Sequence, residues 1–98
     1  MQTLPSVVII GAIDYEVKEE ARTGVDGLYG TILYSDSVIS IMPGQSPVHK
    51  EITLWHEMLH GIMRNAGIKD HDETVIIALS HGIVQLLKDN PLLVRAGQ

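Results

Sequence analysis

Within Thr53-Leu54-Trp55-His56-Glu57-Met58-Leu59-His60-Gly61 the pattern His-Glu-x-x-His lies inside a run that reads as helix. Residues four apart on an α-helix share a face about 6 Å apart along the axis. His56 and His60 can therefore bring two imidazole nitrogens to one tetrahedral Zn²⁺. Glu57 is rotated about 100° from His56, beside the metal position rather than on it. From there a carboxylate can hydrogen-bond to metal-bound water and take its proton. The bland alternative is a helix with two solvated histidines and a surface glutamate, and the helical context favours the metal site. The spacing speaks for zinc-dependent hydrolysis and leaves the substrate open.

Catalytic zinc sites usually hold three protein ligands, so the rest of the chain must supply one. A histidine six residues past His60, as in His-Glu-x-x-His-x-x-Gly-x-x-His enzymes, would fall on Ala66, and Met63 stands where that pattern needs glycine. That subclass is excluded. Glu73, expected in the first turn of a second helix that packs back along the first, is the favoured third ligand, with His71, Asp72 and Asp70 as rivals. A carboxylate in a first turn also complements the helix dipole without any metal. His81 lies about two turns beyond Glu73 and can donate to an oxyanion, although a histidine satisfied at a helix seam is the commoner outcome. His49 reads as a surface residue. Tyr15, Tyr29 and Tyr34 are candidate oxyanion stabilisers if a phenol reaches the cleft, but any one of them is more often packing. Trp55 reads as a core anchor.

The elements that must position these groups follow from punctuation and periodicity. Ser6 to Ile10 is β-branched and bounded by Pro5 and Gly11, a short and well-buried strand. Ile13, Tyr15 and Val17 alternate with polar residues as a half-exposed strand, and the two runs are expected to form one unit bent at Gly11. Glu19 to Gly27 reads as a loop. Leu28–Tyr34 and Val38–Met42 read as an antiparallel hairpin about Ser35-Asp36-Ser37, with Ile39 and Ile41 on one face. Val38–Met42 is the expected edge strand for an extended substrate. Ser46-Pro47 predicts the start of the motif helix and Gly67 its stop. Along that helix Val48, Ile52, Trp55, Leu59, Ile62, Met63 and Ala66 draw a core-facing stripe. Asp72 or Asp70 caps a second helix from near Glu73 to about Asp89. Val75, Ile76, Leu79, Ile83, Leu86 and Leu87 make it a face broad enough for the first helix and the sheet. Leu92-Leu93-Val94 either adds a short turn against the core or frays.

The 98 residues suit one domain with a modest core. Hydrophobic residues make up 45 % and charged residues 19 %, a globular composition. A net charge of −5, with seven scattered Lys and Arg, gives no basic patch and argues against nucleic acid. The absence of cysteine leaves zinc to His and carboxylate ligands and fits a reducing compartment. Val7–Ile10 is too short for a signal peptide, and no run approaches the ~20 apolar residues of a membrane span. The default is a cytoplasmic protein without a membrane partner.

Thr-Leu-Trp-His-Glu-Met-Leu-His-Gly-Ile at 53–62, followed by His-Asp-Glu-Thr-Val-Ile-Ile-Ala-Leu-Ser-His-Gly-Ile-Val-Gln-Leu-Leu-Lys-Asp-Asn-Pro at 71–91, resembles the small zincin-type metallopeptidases. The resemblance is nearest to the short gluzincin-like proteins of bacteriophages and prophages, similar in outline to the ImmA/IrrE-type peptidases. It covers about half the chain. It implies an α+β fold, with a small and mostly antiparallel sheet packed on the motif helix and a second helix bearing a ligand. It also implies His56, His60 and Glu73 as zinc ligands, Glu57 as general base, and a peptide or protein as substrate. The chain is much shorter than typical secreted peptidases, which points to an oligomer, a protein partner or the substrate itself for the other wall of the cleft. A rival of another class is a zinc-stabilised interaction module, such as a phage-encoded regulator, with the fourth metal position closed by His71 or His81. Hydrolysis of other amides or esters is a third reading.

Overall fold

The computed structural model describes residues 4–21 and 29–95 and shows an α+β architecture. Strands β1 (Val7–Ile10), β2 (Ile13–Glu19), β3 (Gly30–Leu33) and β4 (Val38–Ile41) precede helices α1 (Pro47–Asn65), α2 (Glu73–Asp89) and α3 (Leu92–Arg95). The sheet order is β1-β2-β4-β3. β1 with β2 and β3 with β4 are antiparallel, whereas β2 and β4 are parallel, with Val17 opposite Ile39. β1 and β2 are not one bent unit. Gly11 and Ala12 both have positive φ, 58° and 69°, the backbone twist of a two-residue hairpin turn, and Ile10 pairs with Ile13 across it. Nor is β1 well buried, because it is an edge strand with Val7 and Ile9 exposed. Among the described residues β4 lies between β2 and β3, so the edge strand of the hairpin is β3 and not Val38–Met42. The expected loop from Glu19 begins one residue later, since Glu19 ends β2. Residues 22–28, including Leu28, lie outside the described residues.

The core joins Ile10, Tyr15, Ile39 and Ile41 of the sheet to Leu54 of α1. Ile39 and Ile41 are completely buried, as their shared face requires. α1 lies close on the sheet because two glycines remove side chains from the contact. A Cβ on Gly61 would stand 2.9 Å from Ile10 Cδ1, and one on Gly30 would stand 2.5 Å from Thr53 Cγ2.

This close approach corrects the expected stripe. The buried residues of α1 are Thr53, Leu54, Glu57 and Gly61, nearly opposite the expected line on the helix, while Val48 and Ile62 are exposed and Trp55 is only half-buried. The reason is layering: the sheet covers one side of α1 and α2 packs against α1 from another. Among the described residues α2 has at most marginal contact with the sheet. Its buried side chains are Ile76, Ser80 and Val84, and the predicted residues Val75, Leu79 and Leu86 remain about half exposed. The Leu92-Leu93-Val94 segment forms a short helical turn with exposed side chains rather than packing on the core. Among the described residues, no helix is long and apolar enough to cross a membrane.

Candidate metal centre

Local signals place both helices that carry the site. Ser46 caps α1, its hydroxyl accepting a hydrogen bond from the His49 N–H, and Pro47 follows in the first turn. At the other end Gly67 adopts φ 83°. The Ile68 N–H returns to the Met63 carbonyl and the Gly67 N–H to that of Arg64, a Schellman stop. Asp72 then caps α2, accepting from the N–H groups of Thr74 and Val75. The first residue of α2 is Glu73, which comes back over the middle of α1.

There the three favoured ligands converge. Nε2 of His56 lies 3.1 Å from Glu73 Oε1. Nε2 of His60 lies 3.0 Å from Oε1 and 3.1 Å from Oε2. One ligand atom from each of the three residues falls within 4.8 Å of the others, close enough for a single ion. Two imidazoles and one carboxylate form a donor set used by catalytic zinc, with room for a fourth ligand. The rivals stand elsewhere: Asp72 serves as the cap and Asp70 is exposed in the connecting loop. His71 bonds to the other nitrogen of His60 at 2.7 Å and is not a member of the cluster.

Glu57 is buried, with 7 % of its surface accessible, between α1 and the start of β3. Burial, and secondarily the negative charge of Glu73, push its carboxyl up to about 7. A carboxylate poised there can both take and return a proton near neutrality. Glu57 borders a cleft of about 760 Å³ that runs between the two helices and the start of β3. Of the three ligands His56 and Glu73 line this cleft, and Tyr29, Gln45, His49, Ile52, Ile77 and His81 are among the residues around them.

The three tyrosines separate by position. Tyr29 is exposed and lines the cleft. Tyr15 is buried in the core, contrary to the possibility that it faces the cleft. Tyr34 packs beside that core under the Arg64 guanidinium, 4.1 Å above its ring, and burial raises its phenol. His81 lines the cleft, and its Nδ1–H donates to the Ile77 carbonyl at 2.9 Å, which leaves Nε2 without that proton. His49 also lines the cleft and bonds Ser46 through Nδ1.

Sequence reasoning did not single out Gln45. Its amide donates to the carbonyls of Met42 and Tyr29 and accepts from the Thr53 hydroxyl, which ties the β3 entrance and the β4–α1 connection to α1. Its place in a Pro-Gly-Gln break gave no periodic or motif signal. No family model, curated protein or solved structure matches the chain. The zincin resemblance thus rests on the sequence motifs alone.

Proposed function

We propose that this chain is a zinc-dependent metallopeptidase of the small gluzincin-like kind, held by His56, His60 and Glu73 and served by Glu57 as general base. The observation that carries the reading is the convergence of three ligand atoms within 4.8 Å at a cleft that Glu57 borders. When bound, the metal supplies a Lewis acid that polarises a carbonyl and acidifies water. Glu57 accepts a proton from the attacking water and delivers it to the leaving amine. Its burial keeps competing solvent away from the carboxylate. Among the described residues β3 is an edge strand, and its Gly30 lines the same cleft, so its backbone groups can pair with an extended peptide. Tyr29 stands where its phenol can meet a substrate oxygen, whereas His81, its Nδ1–H engaged by the Ile77 carbonyl, turns an acceptor nitrogen to the cleft and not the donor expected for an oxyanion. The chain contains no cysteine, in keeping with a cytoplasmic setting.

A closed zinc module would need a fourth protein ligand. Among the described residues, the cluster contains three, and His71 is engaged across the ring of His60. That arrangement favours the enzyme. The test is metal content per chain, measured by elemental analysis after zinc reconstitution, on the unmutated protein, His56→Ala, Glu73→Ala and Glu57→Gln. One zinc per chain is expected in the unmutated protein and in Glu57→Gln, with loss or weakening in the other two. Peptide hydrolysis is expected only in the unmutated protein; a fully active Glu57→Gln variant would sink the assigned role.

A further inference from the structure

Two groups outside the ligand set, the Ile68 carbonyl and His71, form a line that ends at the ligand His60. The Ile68 carbonyl, just after the α1 stop, lies 2.8 Å from Nε2 of His71. A carbonyl only accepts, so His71 carries its proton on Nε2. In neutral imidazole the other nitrogen is then an acceptor. That nitrogen, Nδ1 of His71, lies 2.7 Å from Nδ1 of His60. The proton between them belongs to His60, which donates. His60 is thereby left with a lone pair on Nε2, which lies 3.0 Å from the Glu73 carboxylate; two acceptors meet there, an arrangement that calls for a cation between them.

We propose that His71 is a positioning residue which, by accepting a hydrogen bond from His60 Nδ1–H, fixes the His60 tautomer and ring orientation so that Nε2 faces the metal. The inference rests on the metal-site reading above. Ligating histidines ordinarily donate their second N–H to a carboxylate or carbonyl, and removal of that partner typically weakens metal binding 10- to 100-fold, as an order-of-magnitude expectation. Here a second histidine takes that place and passes the constraint on to the Ile68 backbone. The two rings are 5.0 Å apart between centroids and tilted by 32°, so the bond fixes direction as well as tautomer. His71 is half-buried beside α1, where bulk water competes less for His60.

The experiment combines zinc affinity, measured by competition with a chromophoric chelator, with two-bond proton–nitrogen correlation spectra of ¹⁵N-labelled imidazoles. It is run on the unmutated protein, His71→Phe and His71→Asn, each checked for folding by circular dichroism. In the unmutated zinc protein His60 is expected to be ligated through Nε2 with its proton on Nδ1, and His71 to carry its proton on Nε2. His71→Phe keeps the ring and loses the acceptor, so zinc affinity should fall by roughly 10- to 100-fold. His71→Asn puts an amide oxygen near the lost Nδ1 and should recover most of that loss. Unchanged affinity in a folded His71→Phe variant would overturn the proposal, and so would equal losses in Asn and Phe. Ligation of His60 through Nδ1 in the unmutated protein would overturn it even if His71→Phe failed to fold. Absence of zinc binding by the unmutated protein would instead overturn the metal site on which the proposal rests.

Discussion

Replacement of Glu57 by glutamine should stabilise the metal-free protein at alkaline pH, although it removes the proposed general base. The carboxyl is pushed from an ordinary 4.5 up to about 7, first by burial and then by Glu73. A gap of this size corresponds to on the order of 3 kcal/mol, at about 1.4 kcal/mol per pH unit. The sign follows from proton binding. Below 4.5 the group is protonated in both folded and unfolded chains and contributes no difference. Between 4.5 and about 7 the unfolded chain ionises while the folded one resists, so stability falls as pH rises. Above about 7 the full cost is present. Glutamine has nearly the shape of the protonated acid and does not ionise, so it escapes this cost. Urea unfolding of both proteins with a chelator, across that pH range, isolates Glu57 because the other carboxylates are common to both. The variant should gain up to about 3 kcal/mol over the unmutated protein at high pH and nothing at the acidic end. Added zinc should shrink the gain, since a dication beside the carboxylate offsets its desolvation. Parallel stability curves, or a variant weaker at high pH, would refute the claim that a buried and destabilised carboxylate stands at the site.

Gly30→Ala should cost at least 1–3 kcal/mol, an order-of-magnitude overpacking penalty, because its Cβ would stand 2.5 Å from Thr53 Cγ2 and 2.9 Å from the Ser40 carbonyl oxygen. Urea midpoints check it, and any peptide hydrolysis should fall as β3 is pushed from α1. Asp72→Ala removes the cap that accepts from Thr74 and Val75 and should cost about 1 kcal/mol. Since Glu73 is the first residue of that helix, chelator competition should also show weaker zinc binding than in the unmutated protein.

What could be read without coordinates was what local chemistry fixes. Ser46-Pro47, Gly67 and the aspartates Asp70 and Asp72 announce helix ends through backbone groups that a few neighbouring residues must satisfy; Ser46-Pro47 and Gly67 act at those ends in the fold, and of the two aspartates Asp72 is the cap. The spacing of His56 and His60 is likewise a property of one helix, and Glu73 follows once the short loop returns α2 along α1. Burial was harder to read because it depends on which side a partner occupies. The apolar line through Val48, Trp55 and Ile62 looked like the core face, yet Thr53, Glu57 and Gly61 are the buried positions, since small residues at Gly30 and Gly61 admit the sheet there. A hydrophobic pattern does not report close approach permitted by a missing side chain. The parallel β2–β4 pairing had no local signal either, because it joins strands separated by the whole of β3.

The helix stop and the metal centre are connected, which gives Gly67 a consequence beyond stability. Its φ of 83° lets the chain turn so that Ile68 donates back to Met63 while its carbonyl accepts from His71. A Cβ at Gly67 would meet nothing within 4 Å, so Gly67→Ala introduces no clash. Its penalty is the left-handed backbone alone, roughly 1–2 kcal/mol. If the loop relaxes to relieve that strain, the Ile68 carbonyl moves and His71 loses the acceptor that sets its tautomer. Zinc affinity should then fall in the same direction as in His71→Phe but by less, because His71 can still find water for Nε2. Urea unfolding and zinc competition on the same preparation separate the two effects. Lower stability with unchanged zinc affinity would show that the strain is absorbed within the loop. A drop in both would show that the residue ending the motif helix also helps to aim one of its ligands.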